Sequence, residues 1–364
     1  MTPLRVGFIG TGLKPEKPGP LGYGMAHHHA VAYRALPAGQ VQLVACCDLY
    51  RDRAASFARA YDIPPNAVYT DYHEMLAKEK LDIISVATWP DAHAQIVCDA
   101  ARARPKGIFC EKPMAYTWGD CKRMVAAGVE NGVKLGFNHQ RRYGKPFRHA
   151  RRLIEQGAVG KLLRVEFGAG DLYEYGSHNF DLCAYLAGST RAKWAMGQID
   201  YAQWKVVFDT HNENSALACW EYDNGVQGFA ATGRAAAFVN CHHRVIGAEG
   251  VIELGPRDPA ADAIDPQRRH VRWRTFGNSQ WEYVDTAGEH MHGPGYIEQA
   301  IADFVTSTAA GKDSEVSGFA ALDNSEIIFA IWHSARIRGI VDLPLRVDDN
   351  ALVDMVNRGE LRPR

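Results

Sequence analysis

No apolar run in this 364-residue chain approaches the ~18 consecutive residues of a membrane span. The start runs directly into VGFIG, with no charged n-region ahead of a long apolar stretch, so a cytoplasmic protein is expected. Neither sign of charge is in excess: 41 Lys and Arg stand against 42 Asp and Glu, a net charge of -1. No long basic run is present to follow a phosphate backbone or an anionic bilayer, which argues against nucleic acid and membrane as partners. The eight cysteines, Cys46, Cys47, Cys98, Cys110, Cys121, Cys183, Cys219 and Cys241, include no CxxC pair and sit in apolar contexts such as VACCD. Buried reduced thiols are expected rather than a disulfide framework or a zinc site. The one conspicuous histidine run, His27 to His29, points its side chains about 100° apart if helical, so the three cannot converge on one ion, and no metal is expected. Internal repeats and low-complexity tracts are absent from the sequence.

What is there reads as an ordinary globular chain, 46% hydrophobic and 23% charged, long enough for two domains with sizeable cores. Over the first 140 residues, short β-rich runs (LRVGFIG, VQLVACCD, LDIISVAT, GIFCEK, VKLGFN) alternate with helical patterns such as DRAASFARAY and DAHAQIVCDAARA. That alternation predicts a parallel, doubly wound α/β sheet. Beyond about residue 145 the pattern changes. The helical stretch PFRHARRLIEQG leads to LLRVEFGAG, a second helical stretch SHNFDLCAYLAG, and then strands SALACWEY, VQGFAAT, HHRVIGA and VIEL, the first two joined by an Asp-Asn-Gly turn. A large, open, mostly antiparallel sheet is expected there, since hairpin turns join antiparallel neighbours. The expected division is residues 1–138 for the first domain and 139–364 for an α+β domain that binds substrate and carries the oligomer contact.

The stretch GTGLKPEKPGPLGYG poses the first functional question. A dinucleotide fingerprint needs a strand, glycines where backbone approaches a pyrophosphate, a helix N-terminus facing it, and an acid about 20 positions on for the ribose hydroxyls. VGFI precedes Gly10, Thr11, Gly12 and Leu13, and a helical segment follows Gly24. Gly10 to Gly24 spans 15 residues where the compact motif spans ~6, so the loop carries an insertion. Counted from Gly24, the acid ending the second strand is Asp48, 24 positions on, which restores the spacing. Its carboxylate would repel a 2′-phosphate, favouring NAD, although Arg51 and Arg53 keep NADP possible. Residues 13–23 are expected to form an excursion from the loop.

SVATWPDAH and IFCEKPMA make the reading specific. With these motifs the chain resembles the glucose-fructose oxidoreductase, inositol dehydrogenase and rhizopine-catabolism family, written Gfo/Idh/MocA. The matching positions are Gly10 and Gly12, Asp48, Ala87 and Thr88 with His93, Glu111-Lys112-Pro113, Gly136-Phe137-Asn138 with Arg142, and Glu174 through His178 to Asp181. Later stretches, RVIGAEGVIEL and SARIRGIVDLPL, agree as well, so the resemblance covers nearly the whole chain.

The resemblance implies an N-terminal Rossmann domain, an NAD-dependent dehydrogenase acting on a ring hydroxyl of a sugar, glycoside or cyclitol, and a homodimer or homotetramer. It implies cofactor contacts from Gly10, Thr11, Gly12, Leu13, Asp48, Thr88, His93, Glu111 and Lys112. Substrate contacts are implied from Lys112, Asn138, Arg142, Tyr175, His178 and Asp181, and catalysis by Lys112, His178 and Glu174. Oxidising a secondary alcohol removes a hydride from carbon and a proton from oxygen, so a base must stand beside the carbinol. Lys112, at a strand's carboxyl end where such sheets bind ligands, is the natural candidate. The Lys112-Pro113 bond is a plausible cis peptide, since X-Pro bonds make that form accessible. His178, Asp181 and Tyr185 fall on one helix face; His178 would meet or relay the alcohol proton, with Asp181 orienting its imidazole.

Two departures bear on the substrate. The family usually has Asp where this chain has Glu174, and Trp89 follows Thr88 where a small or polar residue is common. With Trp118, Tyr143, Tyr173 and Tyr175, Trp89 suits a flat ligand with polar edges, such as a sugar ring. Three other activities fit parts of the pattern. One is redox-neutral cleavage of a glycoside by transient oxidation and elimination, and another is a non-catalytic, cofactor-binding regulatory protein. The third is reduction of a non-carbohydrate such as a biliverdin-like or imine substrate, which the histidine motif disfavours.

Overall fold

The computed structural model describes residues 2–13, 24–188, 191–257 and 270–364, so the loop insertion at 14–23 lies outside the described residues. The chain divides into two compact units. One comprises residues 1–116, 120–140 and 297–322; the other comprises 117–119, 141–296 and 323–364.

The first unit is built on six short strands, each buried along most of its length: β1 (Leu4–Ile9), β2 (Val41–Cys47), β3 (Val68–Tyr69), β4 (Ile83–Val86), β5 (Gly107–Cys110) and β6 (Lys134–Phe137). All pairs are parallel and the order is β3-β2-β1-β4-β5-β6. Near-continuous apolar strands of this kind require cover on both faces. The alternating helices supply it: α1 (Met25–Arg34), α2 (Arg51–Ala60), α3 (Tyr72–Lys78), α4 (Pro90–Arg102) and α5 (Trp118–Asn131). The chain leaves β1 for β2 in one direction and reaches β4 on β1's other side, which makes a switch point between β1 and β4. Sheets of this topology bind ligands beyond the carboxyl ends of their strands at that point. Late in the chain, α8 (Tyr296–Ala309) closes the β5–β6 edge. Phe304 packs 5.2 Å from Phe109, and a Cβ at Gly136 would lie 2.6 Å from the Phe304 ring, so this close approach requires glycine.

The second unit carries a nine-stranded mixed sheet. Its strands are β7 (Leu162–Ala169), β8 (Ala192–Asp200), β11 (Ser215–Tyr222), β12 (Gln227–Thr232), β13 (Cys241–Gly247), β14 (Gly250–Pro256), β15 (Val271–Thr275), β16 (Glu282–Val284) and β17 (Val341–Asp342). A small hairpin, β9 (Val206–Val207) with β10 (Thr210–His211), stands apart. The sheet order is β16-β15-β14-β13-β7-β12-β11-β8-β17, antiparallel except for the β12–β7 pair. The Asp-Asn-Gly turn joins β11 to β12 as its residues demand, with Gly225 at φ 82 and Tyr222 donating its N–H to the Val226 carbonyl.

Helix α6 (Lys145–Glu155) precedes the sheet, and α7 (Gly176–Ala187) is buried along all twelve of its residues. Phe180 on α7 packs 5.0 Å from both Phe167 on β7 and Trp220 on β11. Burying each such ring stabilises by ~1.5–3 kcal/mol. That packing makes α7 the platform on one face of the sheet. Two further helices, α9 (Gly318–Ile337) and α10 (Ala351–Asn357), end the chain. The fold is thus the α/β arrangement expected, a parallel doubly wound sheet followed by a mixed, mostly antiparallel one.

Candidate active site

In the first unit, Gly10 ends β1 with φ 84, a conformation that L side chains rarely adopt. A Cβ there would stand 2.8 Å from both the Ala87 carbonyl oxygen and Thr88 Cγ2, so the backbone can lie close to the β4 turn only because no side chain intervenes. Asp48 closes the other side of this cradle. Its Oδ2 accepts from the Thr11 N–H at 2.8 Å and its Oδ1 from the Tyr50 N–H at 3.0 Å, which aims the carboxylate at the glycine turn. A Cβ on Gly12 would meet Arg53 Nη1 at 3.3 Å and Asp48 Oδ2 at 3.7 Å. Leu13 is 45% exposed, and Thr88 Oγ1 is buried without a hydrogen-bond partner. An orphan hydroxyl beside a glycine turn and a fixed carboxylate at the switch point are what a dinucleotide needs: close backbone for the pyrophosphate and an acceptor for the ribose. Gly10, Thr11, Gly12, Leu13, Asp48 and Thr88 therefore fit NAD.

Glu111 and Lys112 follow β5 directly, and the Lys112–Pro113 bond is cis. Glu111 is buried, and three groups hold it: His29 Nε2 meets Oε1 at 2.8 Å, Asn138 Nδ2 donates to Oε1 at 2.6 Å, and the Lys112 N–H donates to Oε2 at 3.2 Å. His29 Nδ1 in turn lies 2.8 Å from Ser85 Oγ on β4. Burial by itself would raise the Glu111 carboxyl, but the His29 hydrogen bond and charge, the Asn138 amide and the Lys112 charge together hold it below its ordinary range. His93 on α4 is fully buried. Its Nδ1 faces the carbonyls of Pro113 and Met114, and its Nε2 faces that of Thr88, so it joins the Thr88 turn to the turn after Lys112.

The histidine run is divided between separate partners. His27 meets the Tyr61 hydroxyl at 3.1 Å, while His29 stands behind Glu111. None of the eight cysteines is in a disulfide; Cys219 is half-buried and the other seven are buried.

In the second unit, Arg142 and Asp181 form a buried pair. Arg142 Nε and Nη2 both donate to the Asp181 carboxylate, and Asn324 Nδ2 adds a third donor at 3.0 Å. Arg142 also lies 5.5 Å from the centre of the Tyr185 ring, so Asp181 and Tyr185, one turn apart on α7, share one guanidinium. His178 is buried on the same helix, and Glu174 precedes it with its N–H on Asn212 Oδ1. The Tyr175 N–H caps onto Asp171 Oδ1 at 2.8 Å, and its hydroxyl lies 3.1 Å from His292 Nε2. Trp118 and Tyr173 are core residues: Trp118 Nε1 donates to the Leu345 carbonyl, and Tyr173 stacks 5.4 Å from Trp332. Trp89 is 47% exposed.

Sequence reasoning missed His29, Ser85 and Asn324, which brace the predicted residues. It also missed Arg141, His242, His243 and His292, which gather around Tyr175. Only the histidine run gave any signal, and its spacing pointed to no ligand.

The cradle and sheet order define a dinucleotide-binding domain. Residues 4–139 match the model described as "Oxidoreductase family, NAD-binding Rossmann fold", and residues 164–253 match the "GFO/IDH/MocA C-terminal domain". The two matches together span more than half of the chain, which belongs to the Gfo/Idh/MocA oxidoreductase family. Inositol 2-dehydrogenase of Salmonella typhimurium is 28% identical over 256 residues, covering 65% of this chain and 73% of that protein. The aldose-aldose oxidoreductase of Caulobacter crescentus, solved with glycerol, superposes with a TM-score of 0.73 at 19% identity, over 94% of this chain and all of that one. An inositol dehydrogenase homolog of Azotobacter vinelandii, solved with NADH and myo-inositol, gives 0.70 at 20% identity, over 94% and 98%. Among the described residues no helix is long and apolar enough to cross a membrane.

Proposed function

We propose that this protein transfers a hydride between a ring CH–OH of a sugar, glycoside or cyclitol and NAD, with Lys112 and His178 handling the hydroxyl proton. The observation that carries the reading is the position of Lys112. It leaves the carboxyl end of β5, next to the β1–β4 switch point, with its own N–H fixed on a buried carboxylate. Relatives named inositol 2-dehydrogenase support the substrate class. NAD, when bound, supplies the hydride acceptor. The chain's own part is to hold the ribose on Asp48, to approach the pyrophosphate with Gly10 to Gly12, and to take the alcohol proton at Lys112 Nζ, with His178 on the same proton path. Glu174 supplies the negative charge near that histidine, and the Arg142–Asp181 pair holds the α7 face on which it stands. The protein acts as a homo-oligomer in this reading.

NADH formation across a panel of sugars, glycosides and inositols tests the activity. Cleavage of a glycoside without NADH accumulation would point instead to the redox-neutral reaction. With the best substrate, Lys112→Ala is expected to lower kcat by ~100- to 10,000-fold, the usual cost of losing a general base. NAD affinity should stay within about a few fold, because the demand on Lys112 exists mainly in the transition state. Near-full activity of Lys112→Ala would overturn the mechanism.

A further inference from the structure

Arg141 is a buried cation without an anion. Its neighbour Arg142 is chelated by Asp181, yet Arg141 is only 8% exposed, its Nη1 has no hydrogen-bond partner, and no carboxylate among the described residues pairs with it. Its guanidinium lies over Tyr175, 4.5 Å from the ring centre. Burial disfavours the charge, and only Tyr175 and the charge of Glu174 oppose that effect. An unpaired charge in a protein interior is costly, so it is retained where something else completes it.

Beside it stands an orphan acceptor. His243 Nε2 faces the Asn179 carbonyl at 3.3 Å, and a carbonyl can only accept, so that nitrogen carries the hydrogen. Burial keeps His243 neutral, pushing it down to about 3, which leaves its Nδ1 bare. The 2.7 Å contact between His243 Nδ1 and His242 Nδ1 then requires His242 to donate. His242 is also held neutral, by burial first and then by His243 and Arg141. Its Nε2 is therefore a lone pair, buried and without a partner. Tyr175 lies against both groups, since its ring also packs 6.5 Å from His242. His292, bonded to the Tyr175 hydroxyl, completes the cluster; burial and the Arg141 charge lower its basicity as well. Among these side chains Arg141 is the one lasting positive charge.

We infer that this cluster holds a carboxylate flanked by a hydroxyl, the carboxylate on Arg141 and the hydroxyl donating to His242 Nε2, so that the substrate is a sugar acid of the uronate or aldonate class. A free donor on a cation next to a free acceptor matches that pair of groups. A monoanion balances one guanidinium, whereas a phosphate ester would bring a second negative charge among neutral imidazoles. A neutral cyclitol would leave Arg141 unpaired. The inference rests on the dehydrogenase reading above and narrows its substrate.

The test compares hexuronates and aldonates with their neutral parents and with the matching sugar phosphates, for NADH formation and for calorimetric binding to the NADH-loaded protein. The acids are expected to have the highest kcat/KM and the tightest binding. In Arg141→Gln the ratio of kcat/KM for acid over neutral parent is expected to fall on the order of 100-fold, as when one partner of a buried charge pair is truncated. Arg141→Lys should recover part of that ratio. A neutral sugar or a sugar phosphate preferred by the wild type, or an equal loss on acid and neutral substrates in Arg141→Gln, would overturn the inference while leaving the dehydrogenase reading standing. If none of the compounds reduces NAD, the dehydrogenase reading fails and calorimetry decides the site. Acid binding lost in Arg141→Gln would support it, and no acid binding to the wild type would overturn it.

Discussion

At the scale of single residues, the support behind Lys112 is a chain of hydrogen bonds from Ser85 through His29 to Glu111. Glu111 has a folded pKa below its ordinary 4.5 because His29 and Asn138 outweigh burial. A depressed carboxyl contributes stability above its unfolded pKa and loses it as pH falls through the folded value. Removing His29 takes away the largest lowering influence and leaves burial to raise the group. His29→Ala is therefore expected to cost about 1–3 kcal/mol at pH 7, the cost of an unsatisfied buried group. The gap should narrow as pH falls from the raised folded value of the variant's Glu111 to the depressed one of the wild type, because protonation relieves the buried charge in the variant first. Urea unfolding at several pH values measures this, and a gap that widens with acid would contradict it. The places of Asp48 and Lys112 were legible in the sequence because each follows the end of a strand. His29 was not, because its partners lie 56 and 82 residues away, and only the packing of α1 on β4 and β5 selects which of three adjacent histidines reaches Glu111.

At the scale of elements, α7 could be read from its apolar pattern and from Gly188, which ends it at φ 108. Its electrostatics could not. Arg141 and Arg142 are adjacent in the same short turn, Gln140–Tyr143, and sequence offers no means of deciding which one pairs with Asp181 39 residues on. The resemblance implied a substrate contact from Arg142; in the structure its guanidinium donates to Asp181, and Arg141 Nη1 is buried without a hydrogen-bond partner. β8 and β15 were also not foreseen: Gly197 and Gln198 interrupt the apolar alternation of β8, and Arg272 and Arg274 make β15 look like a loop until Glu253 is placed beside it. Because the Arg142–Asp181 pair is almost fully buried, removing Asp181 takes a carboxylate away from a guanidinium that water does not reach. Asp181→Ala is expected to cost about 3–5 kcal/mol, read as a lowered urea midpoint. Loss of less than about 1 kcal/mol, the value of a surface pair, would show that water reaches Arg142.

At the scale of the whole molecule, the face of the large sheet opposite α7 is the candidate for an oligomer contact. One row of paired residues crosses seven strands on that face: Met196, Cys219, Phe229, Glu166, Arg244, Glu253 and Arg272. The second half is a ladder of alternating charge, with Arg244 3.1 Å from both Glu166 and Glu253, and Arg272 2.6 Å from Glu253. The first half is apolar, and Met196 and Leu217 are 41% and 42% exposed. Self-paired charges beside an exposed apolar strip suit a self-complementary contact, since the ladder is already neutral and the strip gains by being covered. We expect two copies to meet across this face. Sedimentation at micromolar concentration should give a species of at least twice the mass of the 40.3 kDa chain. Leu217→Arg, at a position open enough to keep a charge hydrated in the single chain, should shift that species to one chain while leaving the circular-dichroism spectrum in place. A wild-type protein that sediments strictly as one chain would remove the oligomer from the reading, and the exposed strip would then need another occupant.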